Sequence, residues 1–450
     1  MKNSDGTASA STNSRLGSRD ATVILTLLFF GYLLSFADRV IFSLAIKPIK
    51  ESLHFSDSQI GLLSGLIFAA SYALFSPIGG YLADRMSRRS LMAAAVAFWS
   101  AATVATGLAA SFISMGISRA LVGIGESMLH PLAVSLLSDA VDAPKRSRSF
   151  GVYMSAGATG ALVALLGGGL LLRQLHSAGE ISLPLIGTIA PWQALFFGAG
   201  VPGFILAAVI VLVMKEPRRR SDASGTTSAK NQGAIDFLKR NWRFSTAIFV
   251  GISTLQMGAY TLSTWYIVFF ERVHGLPGFK AAILLACTSG VATLVGCIAG
   301  GRMISRLRQA GRKDAALIIG MGAGAVFMVF SVLALLATNT TLALAILPIA
   351  TFCGYIPSIA GFTAMGEGLP SSVRARLAGL HTLANGIISN SLGPFLVGFF
   401  SDTVFAFEAG IRYSLIVTIL IGGCAGVYLL NQGRASLRAL VQAQESLDSD

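Results

Sequence analysis

The feature that most constrains this chain is the recurrence of long apolar stretches along its 450 residues. Each stretch is about 20 residues long, the length at which a helix crosses ~30 Å of hydrocarbon. An apolar share of 54%, a charged share of 12% and a mean hydropathy of +0.70 agree with a membrane protein. We therefore predict an all-α membrane protein with twelve transmembrane helices, at 22–46, 58–82, 90–110, 113–138, 149–172, 191–214, 244–270, 281–301, 314–337, 341–366, 377–400 and 411–431.

The distribution of Lys and Arg among the loops predicts the orientation. When alternate loops are assigned to one side, that side carries 26 of these residues and the other carries 6. Because cytoplasmic loops carry the excess, both termini are predicted to be cytoplasmic, and the polar start is a tail rather than a cleaved signal. The formal charge of +13 is explained by membrane lipids as partners, so nucleic acid is not implied. We expect a multi-pass, monomeric protein of a bacterial inner membrane.

The longest hydrophilic interior stretch divides the spans six and six. The predicted organisation is a cytoplasmic tail at 1–21, a six-helix bundle at 22–214, a cytoplasmic linker at 215–243, a six-helix bundle at 244–431 and a tail at 432–450. The halves echo each other, since Gly79-Gly80 recurs as Gly300-Gly301 and Asp139 with its following arginines recurs at Glu367. Such internal symmetry is typical of transporters built from repeats.

Four charged residues lie inside the spans of the first half: Asp38 and Arg39 in span 1, and Arg119 and Glu126 in span 4. An ionisable group against lipid costs ~2.5–3.5 kcal/mol on the lenient insertion scale, so these side chains should face protein or a water-filled cavity. Arg119 and Glu126 are two helical turns apart and project from nearly one face. Asp38 and Arg39 point about 100° apart, so we expect them to serve different partners.

Other sequence features limit the proton-transfer, ATPase and catalytic functions that the chain can have. His130 lies one turn beyond Glu126 on the same face and is a candidate proton relay, although Pro131 makes a packing role equally consistent. No Gly-Lys dipeptide occurs, so the phosphate-binding loop of ATPases is absent and transport must use a gradient. No nucleophile–base constellation or metal spacing occurs, so neither an enzyme nor a metal or other cofactor is predicted.

The second half has a different composition. Its spans carry no Asp, Glu, Lys or Arg in their interiors, but they are dense in aromatic residues. A cavity that is charged on one wall and apolar on the other suits an amphiphile with a polar head and an acyl tail. The few polar candidates opposite the charges are Gln256, Asn385 and Asn390.

Several motifs resemble the major facilitator superfamily. Gly80-Tyr-Leu-Ala-Asp84-Arg85-Met-Ser-Arg88-Arg89 is similar to its signature between spans 2 and 3, with Ser87 where the pattern prefers Gly. Within the superfamily the chain resembles the Spinster group. The matching pieces are Phe36-Ala-Asp38-Arg39, Arg119-Ala-Leu-Val-Gly123-Ile-Gly125-Glu126 followed by Pro131 and Asp139, Arg272-Val-His274-Gly275, and Gly393-Pro394 leading to Ser401-Asp402. Anion–cation symporters for sugar acids also resemble the Asp-Arg and Gly-x-x-Glu pieces.

The resemblance implies two pseudo-symmetric six-helix bundles that rock about a midplane cavity in alternating access. Spinster proteins are known as carriers of lysolipids or sphingosine 1-phosphate, and proton coupling is proposed for bacterial members. At the cytoplasmic edge, the resemblance implies that Asp84 pairs across the two halves, and it makes Arg85, Arg88, Asp139 and Arg146 gating candidates. The alternative is that these basic residues are membrane-surface anchors.

These observations predict a proton-coupled secondary transporter of an anionic or zwitterionic lipid, such as a lysophospholipid or sphingolipid. Glu126 and Asp38 are the predicted protonatable groups, and Arg39 alternates between Glu126 and the substrate headgroup. Arg119, Gln256 and Asn385 are predicted to contact substrate as well. A static ion pair that fixes the packing of spans 1 and 4 is the alternative for the charges. For the whole protein, the alternatives are a symporter of sugar acids or aromatic acids and, more remotely, a membrane sensor.

Overall fold

The computed structural model describes residues 18–141, 143–178, 181–183, 187–217, 236–369 and 371–449. The helices are numbered α1 to α12, one for each predicted span. Their bounds are Ser18–Leu53 (α1); Asp57–Gly61, Leu62–Leu66 and Ile67–Arg85 (α2); Arg88–Gly107 (α3); Phe112–Ser127 and Leu129–Ala140 (α4); Ala143–Ala178 (α5); Pro191–Val213 (α6); Trp242–Thr246, Ala247–Gly251 and Ile252–His274 (α7); Gly278–Leu285, Ala286–Gly290 and Val291–Gln309 (α8); Ala315–Leu336 (α9); Thr340–Gly354 and Ile356–Gly368 (α10); Ser371–Asn385, Gly386–Leu392 and Gly393–Thr403 (α11); and Ile411–Ser449 (α12).

The predicted all-α membrane architecture is confirmed. Within the described ranges, eleven helices are long and apolar enough to cross a membrane, and the twelfth is α7, a helix of similar length that is richer in polar and aromatic residues. The helices form two six-helix bundles, α1–α6 and α7–α12. A short antiparallel hairpin lies between α5 and α6, formed by β1 (Ile181–Leu183) and β2 (Gly187–Ile189), and a 3-10 turn at Glu408–Gly410 precedes α12. Helix α12 continues through the predicted tail as far as Ser449.

Two breaks in the helices repeat between the halves. Helix α4 is interrupted at Met128, and α10 is interrupted at Tyr355, 227 residues later. Each break lies two or three residues before a proline, Pro131 or Pro357, which lacks an N–H and clashes with the preceding turn. In both halves the first glycine of the repeated Gly-Gly pair packs against the break. Helices α2 and α8 also carry matching π-turns, at Leu62–Leu66 and Ala286–Gly290.

The cores show how the halves meet. At the end that holds the α1–α2 and α7–α8 loops, one buried cluster contains side chains from both halves, including Phe42 of α1 and Trp265 of α7. At the end that holds both termini, each half has a separate core, one around Trp99 and one around Phe244. The two bundles are therefore packed together at the end away from the termini.

Candidate proton and substrate site

The centre of the site is a carboxylate that α4 holds against α1. Glu126 is fully buried, and its Oε2 accepts hydrogen bonds from Ser35 Oγ at 2.7 Å and from Arg39 Nη2 at 2.7 Å. Arg39 Nε lies 3.3 Å from the same oxygen. Among the described residues the other oxygen, Oε1, has no hydrogen-bond partner. The Arg39 side chain keeps 22% of its surface exposed, whereas the carboxylate that it contacts is completely buried.

A second ion pair lies deeper in the first half. Arg119 Nη1 donates to Asp38 Oδ2 at 2.7 Å, and Thr103 of α3 donates to Asp38 Oδ1 at 2.8 Å. Both charged residues are buried, at 3% and 1% exposure for Asp38 and Arg119. The adjacent residues Asp38 and Arg39 thus serve different partners, as their angular separation on the helix predicts. The structure brings Arg39 to Glu126 and Asp38 to Arg119, and it does not bring Arg119 to Glu126 as a hydrogen-bond partner.

Aromatic rings surround the two guanidinium groups. The Arg39 guanidinium carbon lies 5.1 Å from the ring centroid of Phe36, 4.7 Å from that of Phe68 and 5.7 Å from that of Tyr72. The Arg119 guanidinium lies 4.8 Å from the ring of Phe42 and 5.2 Å from that of Phe68. Rings at these distances attract a cation through their negative faces. Four residues of the site were not predicted from the sequence, because their residue types carry no signal without the fold: Ser35, Phe68, Tyr72 and Thr103.

His130 belongs to a cluster of rings beside Glu126. Its Nδ1 lies 2.8 Å from the hydroxyl of Tyr153 on α5, and Tyr32 of α1 packs edge-on against its imidazole. Tyr32 stacks on Tyr153 at a centroid distance of 5.1 Å. A neutral imidazole has one donor and one acceptor nitrogen, so this hydrogen bond fixes the ring's orientation next to the carboxylate.

The second half supplies the opposite wall. Asn385 Nδ2 donates to Gln256 Oε1, which joins α11 to α7 beside the π-turn Gly386–Leu392. One turn after Gln256, Tyr260 packs edge-on against Tyr355 at 6.0 Å, and Asn390 and Arg39 lie near it. The structure therefore brings together two of the three predicted polar candidates of the second half, Gln256 and Asn385.

The predicted gating residues at the end with the termini are only partly described. The side chains of Asp84 and Arg146 lie outside the described residues. Arg85 is exposed and its guanidinium lies over Tyr81 at 4.1 Å. Arg88 is fully buried, and it pairs with Asp139 of α4 and Glu216 after α6, both within its own half.

Arg88 also holds the first residues after α6. Its guanidinium donates to the carbonyl of Pro217, and Glu216 accepts from the Arg88 backbone N–H at 2.8 Å and from the Ser87 hydroxyl. Partial burial acts to raise the pKa of Glu216. The hydrogen bonds from Ser87 and Arg88 outweigh it and hold the pKa of this carboxyl below its usual range.

An ionic cluster without a predicted role joins the two halves at the end away from the termini, which is the closed end of the molecule. Arg272 at the end of α7 donates to both oxygens of Asp57, at 2.6 and 2.7 Å. Lys50 of α1 also pairs with Asp57. Asp402 at the end of α11 accepts from the backbone N–H groups of Asp57 and Ser58, at 3.0 and 2.6 Å. The available signal was the Ser-Asp start of α2, since an acidic residue at a helix N-terminus is favourable.

Glycines bring α2 and α11 into backbone contact below this cluster. A Cβ built on Gly61 would lie 2.8 Å from the Pro394 carbonyl oxygen, and one on Gly65 would lie 2.7 Å from the Ser391 carbonyl oxygen. On the other helix, a Cβ on Gly398 would lie 2.2 Å from the Asp57 carbonyl oxygen. The closed end thus depends on both charge pairing and the absence of side chains.

Comparison with known proteins identifies the family. Residues 28–394 match the model of the Major Facilitator Superfamily. The chain belongs to this superfamily. It is 25% identical to protein spinster homolog 1 of Xenopus tropicalis, over 92% of this chain and 80% of that protein. It is 22% identical to a probable L-galactonate transporter of Escherichia coli, over 95% and 92%.

Solved structures agree on the fold. The crystal structure of a bacterial homologue of the human lysosomal transporter Spinster, in an inward-facing and unoccupied conformation, superposes with a TM-score of 0.76 at 24% identity. The superposition covers 95% of this chain and 98% of that one. The chain is therefore a multi-pass membrane protein of a transporter superfamily, and it resembles the Spinster proteins within it.

Proposed function

We propose that this protein is a proton-coupled secondary transporter that works by alternating access, with both termini in the cytoplasm of a bacterium. The observation that carries the proposal is the pairing of a fully buried carboxylate, Glu126, with a partly exposed cation, Arg39. Such intramembrane charges mark ion and substrate pathways.

The geometry of this pair supports proton coupling. A proton on Glu126 removes the charge that holds Arg39, and Oε1 is the oxygen without a partner among the described residues. Arg39 is then free to bind an anionic group in the cavity. A departing substrate leaves Arg39 to return to Glu126, which favours release of the proton. The Arg39 guanidinium cannot fully neutralise the Glu126 carboxylate and an anionic substrate at the same time. Binding of the substrate is therefore coupled to protonation of Glu126.

Alternating access is supported by the asymmetry between the two ends. The halves share a core and an ionic cluster at one end, whereas each has its own core at the other. With the termini inside, this is a cytoplasm-facing arrangement whose outer gate is the cluster around Asp57. Opening that gate requires Arg272 and Asp402 to leave Asp57 and Ser58.

For the substrate we propose an amphiphilic lipid with an anionic or zwitterionic headgroup, bound through Arg39. The likeness to Spinster proteins supports this class. The second candidate is a small organic anion such as a sugar acid. A specific feature favours it, since the Gln256–Asn385 pair and Tyr260 offer hydrogen-bonding groups opposite Arg39, where sugar hydroxyls need them. The likeness to a probable L-galactonate transporter points the same way.

The test of proton coupling is Glu126→Gln in proteoliposomes. Glutamine imitates the neutral acid, so the variant should bind substrate but lose accumulation driven by a pH gradient. Glu51→Gln is the matched control, because Glu51 is exposed and pairs with Lys47 at the surface, at 4.0 Å. Wild-type accumulation in the Glu126 variant would remove this residue from the coupling mechanism.

The test of substrate class is displacement of a fluorescent lysolipid from the purified protein. A lipid site should gain ~0.8 kcal/mol for each buried methylene until the pocket is full. Hexuronates and simple aromatic acids are measured at the same pH. Displacement by these acids alone, with no trend along the lysolipid series, would reject the lipid and favour the organic anion.

A further inference from the structure

Phe68 lies between the two ion pairs and has no role in the proposed transport mechanism. It is 4% exposed and lies on α2, directly after the π-turn Leu62–Leu66. The guanidinium carbons of Arg39 and Arg119 lie over this one ring, at 4.7 and 5.2 Å from its centroid. Each of these cations pairs with a different carboxylate, so Phe68 contacts both the Arg39–Glu126 pair and the Arg119–Asp38 pair.

A glycine on α4 makes this position possible. Gly123 lies between Arg119 and Glu126, and a Cβ built on it would lie 2.6 Å from the Phe68 carbonyl oxygen and 2.3 Å from Ser71 Oγ. Any larger residue would push α2 away from α4. The close approach of the two helices therefore inserts the ring between the charged side chains that α4 carries.

The ring has an electrostatic effect on both cations. Its faces are negative, and a desolvated guanidinium over such a face gains more than one at the surface. The ring also separates two like charges that would otherwise repel each other across a buried space of low dielectric. It therefore helps to keep Arg39 beside Glu126 while Arg119 stays on Asp38.

We propose that Phe68 is a positioning residue that couples the Arg39–Glu126 pair to the Arg119–Asp38 pair and so sets the proton affinity of Glu126. The proposal rests on the proposed role of Glu126 in proton coupling. Weakening the ring's hold on Arg39 leaves Glu126 less neutralised, and a less neutralised carboxylate takes up a proton at higher pH. The charged and titratable groups around Glu126 are Tyr32, Asp38 and Arg39 on α1, Tyr72 on α2, Arg119 and His130 on α4, Tyr153 on α5 and Tyr260 on α7.

The sharpest perturbation replaces Phe68 with 3,4,5-trifluorophenylalanine, which keeps the size of the ring and removes most of the negative charge of its faces. Two quantities are measured against pH in the full-length protein. One is the uptake of the fluorescent lysolipid by proteoliposomes, and the other is the Tm of the purified protein. We expect the midpoint of both profiles to move to higher pH by about one unit, a tenfold change in proton affinity. The shift in Tm should vanish in a Glu126→Gln background.

A backbone variant tests the same coupling without touching the ring. Gly123→Ala should shift the midpoint in the same direction, because the added methyl separates α2 from α4. Gly116→Ala on the same helix is the matched control, since its Cβ would lie 3.5 Å from Ile67, an ordinary contact. It should leave the midpoint where it is.

The outcomes are distinguishable. A Tm lowered equally at every pH, with an unmoved midpoint, would mean that Phe68 only fills space and would overturn the proposal. Absence of pH-driven uptake by the wild-type protein would reject the proposed function. In that case the midpoint of the Tm profile and its dependence on Glu126 still decide whether the ring couples the two pairs.

Discussion

The ionic cluster at the closed end predicts how one substitution changes the balance between the two conformations. Asp57 is buried and receives both arms of the Arg272 guanidinium, a geometry that gives a strong charge-assisted contact. Asp57→Asn keeps the size of the side chain but removes its charge. Arg272 then keeps Glu271 and Asp402 as the nearby acidic groups.

The size of the effect can be worked from this geometry. Breaking a buried pair by removing one partner costs about 3–5 kcal/mol. The Arg272 side chain is 18% exposed, and Glu271 and Asp402 compensate part of its charge, so we expect about 2–3 kcal/mol. The cost falls on the closed outer gate and not on a state in which the halves have separated. The ratio of closed to open outer gate should therefore fall about 30- to 150-fold.

Pulsed electron paramagnetic resonance measures this ratio directly. Spin labels are placed at Ser52, on the last turn of α1, and at Phe407, after α11, both exposed and on opposite halves. Cys287, Cys297, Cys353 and Cys424 are replaced beforehand. The short-distance population should lose weight to a longer one in Asp57→Asn but not in Glu51→Gln. An unchanged distance distribution, with the protein folded, would refute the role of Asp57 as the outer gate.

Three more predictions concern single contacts. Arg39→Lys should weaken an anionic substrate by ~1–3 kcal/mol, because Lys keeps the charge but loses the two-pronged contact, and equal affinity in a binding titration would reduce Arg39 to a point charge. The stability that Glu216 confers should be fully present above the ordinary glutamate pKa and should decline as the pH falls through its lowered pKa. Plots of Tm against pH for the wild type and for Glu216→Gln should therefore converge in acid. Parallel plots would contradict the stabilising contact. Gly65→Ala should lower the closed fraction in the resonance assay, whereas Gly322→Ala, whose Cβ meets nothing within 4 Å, should not, and equal effects would exclude backbone contact as the cause.

The membrane spans and the charged candidate residues were predictable from the sequence, because in a membrane both can be recognised within a single segment of the chain. A helix that must satisfy its own backbone in hydrocarbon needs about 20 apolar residues, and this length is visible one segment at a time. A charge inside such a segment is costly wherever it points, so Asp38, Arg39, Arg119 and Glu126 were identifiable without any knowledge of their neighbours. Helical geometry even predicted that Asp38 and Arg39 would take different partners.

Partner choice depended on the packing of helices that are far apart in the chain. Arg119 shares a face with Glu126, but the fold pairs it with Asp38, because α1 presents Asp38 to one level of α4 and Arg39 to another. Phe68 and Ser35 joined the site only because Gly123 and the α1–α4 contact place them there. Phenylalanine and serine are both ordinary residues of membrane helices, so neither could be recognised as a site residue from the sequence.

The same reason explains the ends of the molecule. Arg88 carries the signature of a membrane-surface anchor or a gate, and burial against Asp139 and Glu216 makes it a contact within the first half. Asp57 looks like an ordinary helix start, yet the approach of α7 and α11 makes it the centre of the contact between halves. The sequence by itself determined which segments cross the membrane and which side chains carry charge into it, because each of those properties is local. The tertiary structure alone decided which charges meet, because an ion pair depends on two helices whose relative position no single segment encodes.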